Sequence, residues 1–597
     1  MKKTIALLVC LAVLLGAFPP VMAQESEIIL YVSPDGSDSG DGSYGNPLAT
    51  LDGARRRVRE YKRGMTEGKI IVSFLEGEYP LSQGVQFTRD DSGTDKISIV
   101  YRAEPGQTVS FTGSRQIDTA AFQPVTDPAI RARLQENVRD RVGQLDLKAQ
   151  GITKIEPIAR LSTFNYVIPS GPYKLYLDNE EQMMSRWPNE GYAVIEDVVQ
   201  SGNMLYTYDS VVANAPPIIF DGGDRPAGWK QAKDAIIEGY FMWDWSYEQL
   251  YMDGINEQNQ IVTRDSTTNF GIASGKRWAV FNLMEEIDAP GEYYIDQQNL
   301  MLYYYPPYPI TSDMRLDISL LTDDMITAEK LSHVTFERLT FEKTRGNAVS
   351  LFDCEDIAFL GCTFENIGSE GIYADGDEIE IRSCDFFYIG DYAVEMDGGD
   401  RITLRPSGNQ IVNNHFYKFS GNRKTYSGAV SLRGAGHTVE HNLMHDSPHQ
   451  AIWFEGNDHQ IRNNEIYDVL KETIDAGAIY AGRDYSSRGN EISFNYIHDL
   501  DYSMIALGTE SGYLDDVAIY MDDMFSGTSI HHNVLRNVAR GLLLGGGRDL
   551  KVHDNLIIDA AQSMYCDQRA AEPGSTGYIQ AKPGGEAYNK SKNYPVD

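Results

Sequence analysis

Residues 451–456 (AIWFEG), 478–483 (AIYAGR) and 518–523 (AIYMDD) are three copies of one pattern, small-apolar-x-apolar-x-Gly/Asp, and this pattern decides the fold. It recurs at 348–352 (AVSLF), 371–376 (GIYADG), 393–398 (AVEMDG), 429–434 (AVSLRG) and 541–546 (GLLLGG). Successive copies are offset by 23, 22, 36, 22, 27, 40 and 23 residues, a unit of 22 to 23 residues broken by insertions. A second motif follows each first one: Cys362-Thr-Phe, Cys384-Asp-Phe, Asn414-His-Phe, Asn442-Leu-Met, Asn464-Glu-Ile, Asn495-Tyr-Ile, Asn533-Val-Leu and Asn555-Leu-Ile. A repeat of this length, with β-branched and aromatic residues at alternate positions and no helical period, predicts an all-β chain built on a right-handed parallel β-helix. Leucine-rich repeats share the period but need an LxxLxL frame that is missing here. The six Asn in register predict a ladder of side-chain hydrogen bonds to backbone. Cys362 and Cys384, standing where the later coils have Asn, are expected to be buried and reduced.

Side chains alternate across a strand, so the repeat sorts residues into two files. Ile372/Ala374, Val394/Met396, Val430/Leu432, Ile452/Phe454, Ile479/Ala481, Ile519/Met521 and Leu542/Leu544 are expected inside. Their outward partners are Tyr373/Asp375, Glu395/Asp397, Ser431/Arg433, Trp453/Glu455, Tyr480/Gly482, Tyr520/Asp522 and Leu543/Gly545. One outer file therefore shows Trp453, Tyr480 and Tyr520 on successive turns, with Glu455, Gly482 and Asp522 beside them. Aromatic faces beside carboxylates suit a sugar ring, whose C–H face stacks while its hydroxyls bond to acids. Gly482 leaves a gap in the carboxylate file where a substrate would sit. Scattered surface aromatics and acids decorate any soluble strand, but three aromatic turns with a glycine gap favour a binding cleft. The loop RDYSSRG, with Arg483, Asp484 and Arg488, and an insertion near 501–517 are expected to wall it.

Working outward, 315–565 is read as the β-helix with the functional face and 566–597 as an irregular tail. The region 24–124 begins IILYVSPDGSDSGDGSYGNPLATLDGARRRVREYK, read as a strand, a Gly/Asp/Ser loop and a capping helix from Thr50 to about Lys62, followed by early solenoid strands. Between them, 125–314 alternates apolar and polar residues with turn signals in YKLYLDNEEQMMSRWPN, IIEGYFMWDWSYEQLYM and GEYYIDQQNLMLYYYPP, the mark of an inserted antiparallel sandwich or barrel. Its aromatics Trp187, Trp243, Trp245, Tyr303, Tyr304 and Tyr305 are expected in its core.

Residues 1–23 read as a secretory signal, with Lys2 and Lys3, an apolar run from Ile5 to Phe18 and Val21-Met22-Ala23 at the cleavage site, so a secreted, extracellular product is expected. Its loss deepens the formal net charge of −34 by two, a field that repels nucleic acid and anionic membranes. Of the four cysteines left, Cys354, Cys362, Cys384 and Cys566, no pair has CxxC spacing, which argues against a zinc or redox site.

Glycosidic cleavage needs one protonated and one ionised carboxyl group flanking the bond. Asp484 and Asp522, one turn apart, are the first candidates, with Asp475, Asp523 and Glu455 in reserve; their separation, and with it retention or inversion, stays open. Arg483 beside Asp484 would hold that carboxylate ionised and leave Asp522 as acid. The runs PHQAIWFEGNDHQIRNNEIYDVLKETIDAGAIYAGRDYSSRGNEISFNYIHDL, AIYMDDMFSG and GLLLGGGRD, with the N-terminal and middle stretches quoted above, resemble secreted β-helical glycoside hydrolases, most closely glycoside hydrolase family 141. The resemblance implies α-fucosidase-like or xylanase-like activity on plant cell-wall glycans, with catalytic acids from the GRD and DD motifs, here Asp484 and Asp522 or Asp523, and Asp475 nearby. Trp453, Glu455, Tyr480, Arg483, Tyr520, Arg488, Arg548 and His449 are the candidate substrate contacts. A monomer acting on a poly- or oligosaccharide without a cofactor is expected.

Two rivals stand. A β-helical polysaccharide lyase would use calcium, for which Asp375, Asp397 and Glu395 on adjacent turns are candidates, and a basic residue such as Arg433. A non-catalytic glycan-binding β-helix is the other. Proteins of the resembling type continue well beyond the last coil, whereas this chain ends about 30 residues after Cys566 in a Gly/Lys/Asn-rich tail with no capping pattern, so a truncated product is expected.

Overall fold

A computed structural model describes residues 27–162, 170–205, 215–500, 516–569, 571, 573–574, 578–579 and 582–594. The leader read at 1–23 and most of the loop near 501–517 lie outside these residues. Among the described residues, no helix is long and apolar enough to cross a membrane.

The chain winds as a right-handed parallel β-helix whose coils add strands to two long parallel sheets, one of 21 strands and one of 11. Register is kept coil after coil: Ile372 pairs with Val394, then Val430, Ile452, Ile479, Ile519, Leu542 and Met564. The expected inward file from Ile372 to Met521 is fully buried, and only Leu544 near the last coil is partly so. Inside, Phe341, Phe364, Phe386 and Phe416 stack at 5.2, 4.6 and 4.9 Å between centroids. Burial of apolar surface along this continuous file, at about 25 cal/mol per Å2, is the main stabilising term.

The asparagine ladder forms. Each Asn accepts from the backbone N–H of the preceding rung, as in Asn442 N to Asn464 Oδ1 (3.1 Å), and its Nδ2 donates to a carbonyl one coil back, as in Asn464 to Val439 O (3.0 Å). The rung residues themselves adopt ordinary backbone; the residue before each, such as Asn413, His441 and Asn463, takes φ of 58, 59 and 55° and turns the chain. Cys354, Cys362 and Cys384 are buried free thiols, and Cys566 is exposed. A shorter ladder at the other corner, Asn409, His437, His459 and Asn490, mixes two residue types over four coils and so escapes a sequence reading; His437 and His459 stack at 4.9 Å.

Thr50 caps the helix Leu51–Lys62 by accepting from Gly53 N. The early strands stack directly onto later coils, Ile99 pairing with Val334 and Phe87 with Ala328. The antiparallel excursion starts before residue 125 and ends after 314, because Ser114–Ile117 pairs antiparallel with Leu316–Ser319. Within it Tyr303, Tyr304 and Tyr305 are buried and Trp187 packs on Trp229 and Trp278. Trp243 departs from the core expectation: it is 49% exposed, lying parallel to Trp245 on the surface. The excursion is pinned to the solenoid by polar contacts, with Tyr192 donating to Glu472 (2.7 Å) and Lys424 reaching both Tyr192 (2.9 Å) and Glu472 (3.1 Å).

Candidate active site

A cleft of about 730 Å3 runs along the first outer face of the solenoid. It is lined at one end by Phe352, Glu370 and Tyr373, in the middle by Glu395, Arg433 and Trp453, and at the other end by Glu455, Tyr480, Gly482 and Arg483. The strands place these residues because Tyr373, Glu395, Ser431, Trp453, Tyr480 and Tyr520 hold one register position on six coils. Tyr426, which also lines the cleft, sits on the loop that meets the antiparallel excursion at Trp245. The final described helix, Glu586–Asn593, forms an end wall: Lys590 is ion-paired with Glu455, and Glu586 lies 3.8 Å from Arg483. The tail is thus not wholly irregular. Eight polar residues have little intrinsic helix stability, and these ion pairs supply what the sequence pattern lacks.

At this end the acids of 522–523 meet two cations and a tyrosine. Tyr480 OH donates to Asp522 Oδ2 (2.8 Å), Arg569 reaches the other oxygen of Asp522, and Arg569 also lies 3.3 Å from Asp523. Arg483 donates to Asp523 Oδ2 at 3.0 Å. Burial first, then the neighbouring Asp523 and Asp475, push the Asp522 carboxyl up to about 7, against the opposing pull of Arg569. Asp475 is exposed and accepts from Tyr520 OH at 3.0 Å. Tyr480 and Tyr520 meet edge-on at 5.3 Å. The gap expected at Gly482 serves this arrangement: a Cβ there would lie 3.2 Å from Tyr480 OH and 3.5 Å from Asp522 Cβ, so glycine lets the hydroxyl cross to its acid.

Several expected site residues lie elsewhere. Asp484 is fully buried, held by Arg401 (2.8 Å) and by Ser486 N (2.8 Å), and does not reach the cleft. Two residues beyond Gly482, it has passed the strand end and turned into the corner. Arg483 pairs with Asp523 and not with Asp484, so the expected charge partner of Asp484 is replaced by Arg401, distant in sequence. Arg488 donates to Tyr485 O (2.8 Å) and faces Asp549 (3.5 Å), and Arg548 covers the Tyr485 ring at 5.2 Å; both brace the corner. His449 is buried against Tyr426 at 5.7 Å, and burial drives its pKa down to about 3, leaving a neutral ring in the floor. Tyr520 is only 2% exposed, packed with Val517 and Leu543, so it supports Asp475 and offers no stacking face. Trp453, Glu455, Tyr480 and Arg483 do line the cleft, with Arg433 over the Trp453 ring at 5.2 Å.

Of the three acids considered for calcium, Glu395 is ion-paired with Arg433 and Asp397 accepts from Gly398 N at 2.8 Å. Among the described residues, potential metal ligands converge at His532, His553 and Asp554, on the exposed far side. Glu370 and Arg423 in the cleft were invisible to the repeat alignment, since each lies outside the strand pattern.

The sequence matches the family described as "Right handed beta helix region" over residues 317–416 and 400–577. A stretch of 159 residues is 28% identical to a pectate lyase of Emericella nidulans, spanning 27% of this chain and only 31% of that enzyme. A solved structure described as a glycoside hydrolase superposes with a TM-score of 0.66 at 16% identity, covering 89% of this chain and 96% of its own. The complex of XylC with xylose has a TM-score of 0.44 at 11% identity, covering 89% of this chain and 86% of its own, too distant to support an argument. The likenesses establish an all-β protein of right-handed parallel β-helix architecture.

Proposed function

We propose that this protein is a secreted glycoside hydrolase that cleaves plant cell-wall or fucosylated glycans in the cleft, with Asp522 as general acid. One observation carries the reading: Asp522, beside the cleft wall formed by Tyr480 and Arg483, has its pKa raised to about 7 by burial and by two nearby aspartates. A carboxylic acid still protonated near neutrality can deliver its proton to a leaving glycosidic oxygen. Asp475, exposed and oriented by Tyr520, is the ionised partner that receives the developing positive charge or activates water. Asp523, which contacts both Arg483 and Arg569, is one of the neighbours that raise the Asp522 pKa. The sequence resemblance to glycoside hydrolase family 141, the solved glycoside hydrolase of the same fold and the expected leader support this reading.

The test is reducing-sugar release from plant polysaccharides and fucosylated oligosaccharides. Asp522→Asn is expected to lower kcat/KM by about 10^2 to 10^4, the usual worth of a general acid. Equal release by wild type and variant would sink the site assignment. In the wild type, kcat/KM is expected to fall as pH rises through about 7, where Asp522 loses its proton.

The pectate-lyase likeness favours a second reading, a polysaccharide lyase. Its mark is an unsaturated product absorbing in the ultraviolet, abolished by a chelator; hydrolytic product ends unaffected by chelation decide for the hydrolase.

A further inference from the structure

The Asp522 end is one of two acidic regions on this face. Four to five coils away along the shared register, about 19 to 24 Å at ~4.8 Å per coil, the cleft is lined by Glu395 and Glu370. Glu370 is 1% exposed, and its Oε1 has no hydrogen-bond partner among the described residues. Its main chain is fixed, with the N–H donating to Asn347 Oδ1 at 2.9 Å. The acids beside it are matched by cations, Glu395 by Arg433 and Asp391 by Arg423 at 3.4 Å. Burial, then Glu395 and Asp391, push the Glu370 carboxyl well above its ordinary range. That direction favours the neutral form, which has an O–H to donate and a carbonyl oxygen to accept. A buried polar atom left without a partner is destabilising, so such an atom lining a cleft points to a ligand or water that completes it. Aromatic surface flanks the spot, with Phe352 and Tyr373 at 5.4 Å and Trp453 further along. A sugar ring presents what this lining lacks, hydroxyls for Glu370 and a C–H face for the rings.

We propose that Glu370, with Tyr373, forms a distal sugar subsite, so that the cleft takes a linear oligosaccharide of several units that passes Trp453 and has its scissile bond at Asp522. The inference rests on the hydrolase reading above for the second half of that statement. Glu370 contacts a ring remote from the bond being broken, so its energy appears in binding and in the chain-length dependence of KM.

Calorimetry on the full chain carrying Asp522→Asn measures affinity for xylo- and cello-oligosaccharides of two to six units, with Glu370 intact, Glu370→Gln or Glu370→Ala. Affinity is expected to climb with chain length. Glu370→Ala should weaken the hexasaccharides about tenfold, one hydrogen bond's worth, and leave the disaccharides unchanged. Glu370→Gln, which keeps a neutral donor and acceptor, should restore most of the loss. Equal affinities for all three proteins at every length would mean that Glu370 holds an ordered water only and would overturn the subsite. Length-dependent binding without any cleavage by the wild type would leave the subsite standing and remove the hydrolase reading. Cleavage with no Glu370 dependence would do the reverse, and a protein that binds no member of either series would overturn the subsite.

Discussion

Two rows of polar side chains run along the same solenoid and behave in opposite ways. At one corner, Asn414, Asn442, Asn464, Asn495, Asn533 and Asn555 bind one another and the backbone at 2.8 to 3.1 Å. On the cleft face, Asp522 and Glu370 are buried acids whose pKa values are raised. The coil geometry is common to both rows, so the difference lies in what each side chain meets. An amide carries both donor and acceptor and can tile indefinitely along a 22-residue repeat; carboxylates stacked in register repel and surrender protons to chemistry. The ladder stabilises the scaffold, and the cleft holds groups poised to exchange protons or hydrogen bonds with a ligand.

Asp484 tests where the line between the rows falls, since its sequence position suggests the cleft and its contacts suggest the scaffold. Asp484→Asn strands the Arg401 guanidinium, 7% exposed, without its carboxylate, and breaking one side of a buried pair is destabilising by about 3 to 5 kcal/mol. Chemical unfolding should show that loss, with hydrolysis by the remaining folded protein retained. An unchanged unfolding midpoint combined with lost activity would move Asp484 back among the catalytic acids. Asn464→Ala comes next: it removes the acceptor of Asn442 N–H and the donor to Val439 O, for about 1 to 3 kcal/mol, again with activity preserved. A loss of activity at full stability would show that the ladder positions the cleft directly.

The repeat was legible because burial enforces it: inward residues must be apolar on every coil, and the rung amides must recur at one phase. Site residues obey no such period. Tyr480 lines the cleft because the strand alternation sets its direction, whereas Arg483 and Asp484 follow the last strand residue, Gly482, where alternation no longer says which way a side chain points. Arg401, Arg569 and Glu370 act from loops or turns, and nothing in the local pattern announces that Arg569 crosses to Asp522. The ionisation of Asp522 depends on those long-range neighbours, so its outward position was legible in the strand pattern while its protonation was not.

The cleft row also has a thermodynamic signature. With a native pKa of about 7 against an ordinary carboxyl value of 3.8, Asp522 binds more protons folded than unfolded between those limits. Its contribution to stability is therefore full below about pH 4 and is lost as pH rises through about 7. The stability of the wild type relative to Asp522→Asn should fall over that window. A difference that stays flat from pH 4 to 8 would mean that Asp522 is already ionised in the folded protein, and the general acid would have to be sought elsewhere.

The smallest effect is expected on the ladder side, at a corner where an apolar aromatic residue takes the turn. Phe494 has φ 57°, in line with Asn413 at 58° and Asn463 at 55°, yet it lacks the short polar side chain that eases the left-handed region. It is 53% exposed, so little core packing compensates; its ring stacks on His532 at 4.9 Å and meets His531 edge-on at 6.0 Å. Phe494→Asn should relieve strain of roughly 1 kcal/mol and give up a surface stack worth somewhat less, for a net gain of a few tenths of a kcal/mol in the unfolding midpoint. A loss of stability would show that ring stacking between coils contributes more at this corner than backbone comfort. In that case the scaffold row, too, would depend on contacts that the asparagine repeat alone does not describe.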